Sequence, residues 1–363
     1  MDWIKYKWGI VMSVTVQSFG TTQSGEKVSR IILKNTSGTA VSVLDRGATL
    51  QSFTCFGKDI LLGYDNVSDY ETANGSYIGA TIGRFCNRIA DGRFTLNGVD
   101  YQLACNEADK HGHLHGGNVG FDKKIWHFEI LSMLGEPAVR FSLVSPDGEE
   151  AYPGRLEVSV TYRLLADNTL EIGYCAVSDR DTIVNFTNHS YFNLNGYDGE
   201  DVLSTQLKVN ADAITRINDV LIPTGELMPV EGTPLDFRSP KTIGEAISGD
   251  HEQVRLAGGV DHNFVLSMEK GTMREAAVAY SPITGIELTC STDQPGLQIY
   301  TANFLHEDHG KDSYRWRQYG GFCLESQCFP DSINHPEFPS VVLHAGEEYR
   351  TVTRFHVAKR TNE

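Results

Sequence analysis

The sequence predicts an all-β protein of packed, twisted antiparallel sheets, and three observations carry that prediction. Apolar and polar residues alternate over short segments, Gly, Asn, Asp and Pro separate those segments, and sustained helical periodicity is almost absent. At 363 residues the chain is long enough to bury a sizeable core.

The elements follow in chain order. Lys5 and Lys7 precede a short apolar run, Trp8 to Met12, which imitates the front of a signal peptide but is too short and lacks a clear cleavage site. Residues 1–13 therefore read as an N-terminal extension and residues 14–360 as a single domain, with a strand pattern opening near Met12. Phe94 to Leu103 reads as two strands joined by the Asn97-Gly98 turn, a strong hairpin signal. Leu156 to Leu164 alternates with period two, Ala166-Asp167-Asn168 turns the chain, and Leu170 to Val177 returns as the next strand. The single helical candidate follows Pro240, with Ile243, Ala246 and Ile247 on one face. No linker, low-complexity tract or internal repeat divides the chain, and no apolar stretch is long enough to span a bilayer.

Composition narrows the function classes. A formal net charge of −16 disfavours nonspecific association with nucleic acid or anionic membrane, so a neutral or weakly polar ligand is expected. Seven cysteines, an odd number without paired Cys-x-x-Cys spacing, argue against a disulfide framework and a zinc ribbon. Reduced thiols and a cytoplasmic location are the expectation.

Two apolar segments carry the chemistry. Asn188-His189-Ser190-Tyr191-Phe192 places an imidazole, and Phe322-Cys323-Leu324-Glu325-Ser326-Gln327 places a carboxylate, each among residues suited to burial. A histidine and a carboxylate supply an acid and a base without a metal. His189 is otherwise a core histidine bonded to backbone. Glu325 is harder to explain that way, because a buried carboxylate must be paired, hydrogen-bonded or raised in pKa. Arg84, Asn87 and Arg88 are either surface groups or a buried fork of donors for hydroxyls. His111, His113 and His115 would share one face if extended, which suggests a metal site, yet no further ligand follows at a recognisable spacing. His115, before two glycines, reads better as ligand-facing. Asp261 is either a turn residue or a site carboxylate, and Gln298 either a hydroxyl partner or a backbone partner.

Taken together, Gly83-Arg84-x-x-Asn87-Arg88-Ile89, Leu114-His115-Gly116-Gly117, Asn188-His189-Ser190-Tyr191-Phe192-Asn193-Leu194, Asp261-His262, Gln298-x-Tyr300-x-x-Asn303-Phe304 and Glu325-x-Gln327-x-x-Pro330-Asp331 resemble the aldose 1-epimerases, in family order. Ser145 to Gly154 and Asn334 to Pro339 belong to the same pattern. The resemblance implies a large antiparallel β-sandwich of the galactose mutarotase-like type with few short helices, acting on a free aldose without metal or organic cofactor. It implies Glu325 as general base and His189 as general acid, with Asn87, Arg88, His115, Asp261 and Gln298 binding sugar. D-galactose and D-glucose are the implied substrates, and a monomer or homodimer the implied assembly. Cys86 and His344-Ala345 depart from the pattern, away from the proposed catalytic pair. A noncatalytic carbohydrate-binding protein and a metal-dependent sugar isomerase using the histidine cluster are the competing readings.

Overall fold

The computed structural model describes residues 13–72, 76–107, 109, 111–133 and 135–360. Among them three antiparallel sheets dominate. The largest has nine strands, in the order His127–Met133, Glu136–Ser145, Leu156–Leu164, Thr169–Ser178, Glu348–Lys359, Ile286–Thr292, Arg274–Tyr280, Gln206–Val209 and Lys241–Thr242. A six-stranded sheet runs Tyr191–Phe192, Phe322–Gln327, Gly296–Tyr300, Asp261–Val265, Ala213–Ile217 and Pro223–Pro229. A five-stranded meander covers Ser13–Thr21 through Lys58–Asp59.

One apolar cluster joins the sheets. Phe53 of the meander, Phe141, Val158 and Ile172 of the nine-stranded sheet, and Leu297, Phe322 and Leu324 of the six-stranded sheet all belong to it. Alternation of side chains along each strand sends one face into this core, as in a β-sandwich.

The local expectations fare well. Arg93–Leu96 and Val99–Gln102 form the hairpin, with Asn97 and Gly98 both at positive φ as the two-residue turn demands. Leu156–Leu164 and Thr169–Ser178 pair in register from Leu156 opposite Ser178 to Leu164 opposite Leu170. The expected helix is Ile243–Ile247, but its start is set by a capping box between Thr242 and Glu245 rather than by Pro240. Two further short helices, Val67–Thr72 and Glu252–Ala257, have no counterpart in the sequence reading. The first strand already includes Ser13, inside the stretch assigned to the extension. Residues 1–12 of that extension lie outside the described residues.

Candidate active site

Glu325 sits within Phe322–Gln327, a strand buried along its whole length. Phe322 and Leu324 point into the main core, so Cys323 and Glu325 take the other face, two residues apart. Register places Gln298 opposite Glu325, and both Tyr191 and Tyr300 opposite Cys323. One strand further, Asp261 lies opposite Tyr300. His189 arrives from the short turn before Tyr191–Phe192, where its N–H donates to the Ala80 carbonyl and its own carbonyl accepts from the Gly79 N–H, each at 2.9 Å. The imidazole then stands with Nε2 3.8 Å from Glu325 Oε1.

The third side comes from the two glycine-bearing loops. Gly116, at φ +86, lies so close to the Gly83 carbonyl that a Cβ there would meet its oxygen at 1.9 Å. This approach holds the His115 loop against Asn87. The Asn87 N–H donates to His115 Nδ1 at 3.1 Å, and the His115 N–H donates to the Asn87 carbonyl at 3.3 Å. Accepting at Nδ1 leaves the neutral imidazole with its proton on Nε2, a fixed donor. The His115 ring meets that of His189 edge-on at 5.2 Å between centroids. Arg88, buried, gives Nε and one terminal nitrogen to both oxygens of Glu107 at 2.8 Å, while its other terminal nitrogen lies 4.0 Å from Asp261.

Together with Tyr77, Tyr191, Tyr300 and Phe304, these groups line a cleft of about 270 Å³. That lies just below the usual range of drug-sized ligand pockets, about 300–1,000 Å³, and suits a single sugar ring. Asn87, Arg88, His115, His189, Asp261 and Glu325 all line it. Gln298 stands behind this wall, where its amide nitrogen donates to Asp261 at 2.6 Å. Arg84 is buried but also absent from the cleft; it binds Ser145 Oγ and the carbonyls of Ser145, Pro146, Pro153 and Gly154. Tyr77, Glu107 and Glu307 also reach the cleft, from segments without periodic pattern, and no sequence motif named them individually.

The electrostatics separate the two central groups. Burial raises the Glu325 carboxyl well above the usual carboxylate range; repulsion from Asp261 adds to this and Arg88 opposes it. Its Oε2 has no hydrogen-bond partner among the described residues. Burial also lowers His189, to about 4, although a backbone hydrogen bond pulls it back up. His115 is held well below its ordinary value by burial and by His189, Arg88 and His113, so it stays neutral. Burial opposes the charge on Arg88, but Glu107 and Asp261 restore it and more.

The face that His111, His113 and His115 would share if extended does not form. His115 has φ +53, which breaks the extended run. His113 is buried apart, donating from Nδ1 to the Ala104 carbonyl at 2.8 Å and accepting the Tyr152 hydroxyl at Nε2 at 2.6 Å. His115, His189 and Glu325 do bring three potential metal ligands within 4.8 Å of one another. However, metal-bound histidines donate from their second nitrogen, and His115 accepts there, so its remaining nitrogen is protonated and offers no lone pair.

Comparison with known proteins agrees with this arrangement. The aldose 1-epimerase family model matches residues 29–356. A galactose mutarotase of Sus scrofa is 39% identical over 351 residues, spanning 95% of this chain and 98% of the relative. An aldose 1-epimerase of Escherichia coli K12 is 36% identical over 338 residues, spanning 91% and 95%. The crystal structure of a galactose 1-epimerase from Lactobacillus acidophilus NCFM superposes with a TM-score of 0.85 at 30% identity, over 96% of this chain and all of that one. With the family model matching residues 29–356 and relatives of 39% identity spanning 95% of it, the chain belongs to the aldose 1-epimerase family.

Proposed function

We propose that this aldose 1-epimerase interconverts the α and β anomers of free aldohexoses, D-galactose and D-glucose, with Glu325 as general base and His189 as general acid. The observation that carries this reading is one adjacency: His189 Nε2 and Glu325 Oε1 lie 3.8 Å apart at the wall of the cleft. The two oxygens that must exchange protons, the anomeric hydroxyl and the ring oxygen, are likewise borne on one carbon.

Ring opening then runs as follows. Glu325 takes the proton of the anomeric hydroxyl, that oxygen forms the carbonyl, the C1–O5 bond breaks and its electron pair goes to O5, which receives the His189 proton. Rotation about C1–C2 presents the other carbonyl face. Reclosure reverses each transfer and gives the opposite anomer. Across opening the pair passes from carboxylate and imidazolium to carboxylic acid and imidazole, so one proton is redistributed and none is consumed. Burial favours that second, uncharged distribution, as the opposed displacements of the two groups reflect. Burial thus favours the protonation state of the open-chain intermediate.

The remaining groups fix the pose. His115 offers a permanent donor, Arg88 a cation clamped by Glu107, and Asp261 an acceptor oriented by Gln298. An aldose has no charged handle, so such contacts must supply orientation.

The main apolar cluster recruits residues from Ile31 to Val357, which supports reading residues 14–360 as one domain. All seven cysteines are free, which supports a cytoplasmic location, and among the described residues no helix is long and apolar enough to cross a membrane. The protein acts as a monomer or homodimer, without nucleic acid or membrane partners.

Polarimetry of freshly dissolved α-D-galactose and α-D-glucose tests the proposal. Acceleration by the parent and its loss in His189→Asn are expected. A folded parent that binds the sugar without accelerating rotation would leave a noncatalytic carbohydrate-binding protein.

A further inference from the structure

The imidazole of His189 has two neighbours on the same strand. Glu325 approaches Nε2 at 3.8 Å, and Cys323, two residues earlier on the same face, places Sγ 3.7 Å from Nδ1. Period-two alternation is what allows one strand to address both nitrogens. Cys323 is fully buried, flanked in register by Tyr191 and Tyr300, and does not line the cleft. Its one contact with a proposed catalytic nitrogen is with His189 Nδ1.

We propose that Cys323 is a positioning residue that tunes the proton affinity of His189 by giving Nδ1 a weak sulfur partner. The inference rests on His189 being the acid of the proposed reaction. When His189 gives up its Nε2 proton, the other must remain on Nδ1, so the partner at Nδ1 decides how readily the first one leaves. A carboxylate there would stabilise the imidazolium strongly, as hydrogen bonds to charged groups do. A thiol is a weak donor and a weak acceptor. Burial keeps Cys323 protonated, with Glu325 and Asp261 adding to the effect, so it places no negative charge beside the ring.

The other titratable groups around the ring belong to separate elements. His115 meets it from the glycine loop, Tyr77 from the segment before Gly79, Tyr191 and Tyr300 from the two neighbouring strands, and Glu325 from the strand of Cys323 itself. Arg88 and Asp261 act on the pair through Glu325. Tyr191, Tyr300 and Glu325 also lie beside Cys323, so the serine variant, which keeps the packing and adds no charge, is the one that isolates the contact.

The test uses the full-length protein and Cys323→Ala, Cys323→Ser and Cys323→Asp. The His189 pKa is read by NMR of the ¹⁵N-labelled imidazole in the free protein, and the acid limb of kcat/KM for α-D-galactose by polarimetry. The expected order of His189 pKa is Asp above Ser above the parent, with Ala at or below the parent. Serine is expected to raise it by about half a unit and aspartate by about one unit or more. The acid limb should move by the same amount, since protonating His189 while Glu325 is also protonated leaves the pair without a base. A purely space-filling role predicts no shift with serine, which preserves the packing, so coincident pKa values in parent, Ala and Ser overturn the proposal even when the Asp variant does not fold. A shifted pKa with an unmoved acid limb overturns the acid role of His189 and with it the place of Cys323 in catalysis.

Discussion

Replacing Glu325 by Gln should damage turnover and, at the same time, stabilise the protein as pH rises. The substitution keeps shape and removes the proton acceptor. General acid–base catalysis contributes about 10²–10⁴-fold, so kcat should fall by roughly that factor, equivalent to about 3–5 kcal/mol in the barrier. KM should stay within a few-fold, because Arg88, His115 and Asp261, the proposed sugar-binding groups, are unchanged. The stability effect follows from burial. The folded Glu325 carboxyl titrates well above its unfolded value, chiefly because the strand is closed on both faces. Its contribution is therefore present at low pH and is lost as pH rises toward the folded pKa, since the unfolded chain releases that proton earlier. Each unit of displacement corresponds to about 1.4 kcal/mol, and a glutamine carries no such slope. Urea unfolding of both proteins at several pH values between about 5 and 8 should show the variant gaining on the parent with each step. A variant with parental turnover, or a stability difference flat with pH, would refute the reasoning from that side.

Three further outcomes are expected. Glu107→Gln leaves Arg88 without its bidentate partner, so KM for galactose should rise about tenfold from loss of a charge-assisted contact, with kcat less affected; unchanged constants by polarimetry would count against the clamp. Gly116→Ala drives a Cβ into the Gly83 carbonyl at positive φ and should cost well over about 1 kcal/mol. Gly98→Ala is the control, since it meets nothing within 4 Å, and equal losses in thermal midpoint would show that close approach is irrelevant. His262 is lowered to about 3 by burial and by His251, so its contribution is present above its ordinary pKa and is lost as pH falls from there toward 3. His262→Asn should therefore flatten the acid loss of stability, and an unaltered slope in urea unfolding between about pH 6.5 and 4.5 would contradict the assignment.

What the sequence disclosed was local. The Asn97-Gly98 turn and the alternation of Leu156–Leu164 and Thr169–Ser178 encode their own conformation, and the structure follows them. The capping box Thr242-x-x-Glu245 was also written in the sequence, although Pro240 drew the attention. Long-range order was not legible: nothing in the chain announces that Glu348–Lys359 fills the gap between Thr169–Ser178 and Ile286–Thr292. At the site, Glu325 was legible because a carboxylate among Phe322, Cys323 and Leu324 needs a reason. The three alternate histidines offered one face only if extended, and His111 and His115 both take left-handed backbone while His113 is bonded apart, to Tyr152. The pairing of Glu107 was not legible because its partner, Arg88, is nineteen residues away, on the far side of the Arg93–Gln102 hairpin.

The adjacency of His189 and Glu325 has a kinetic consequence. An isomerase whose acid and base exchange roles permanently in each turnover leaves its substrate facing the wrong form of the enzyme, and must relax before the next cycle. In the proposed reaction the same two groups open the ring and close it, and each recovers its starting form at reclosure. The enzyme released after making one anomer is therefore the enzyme that binds the next. Isotopically labelled sugar brought to anomeric equilibrium should stay there when a large excess of one unlabelled anomer is added, because no slow second form of the enzyme exists to carry the label uphill.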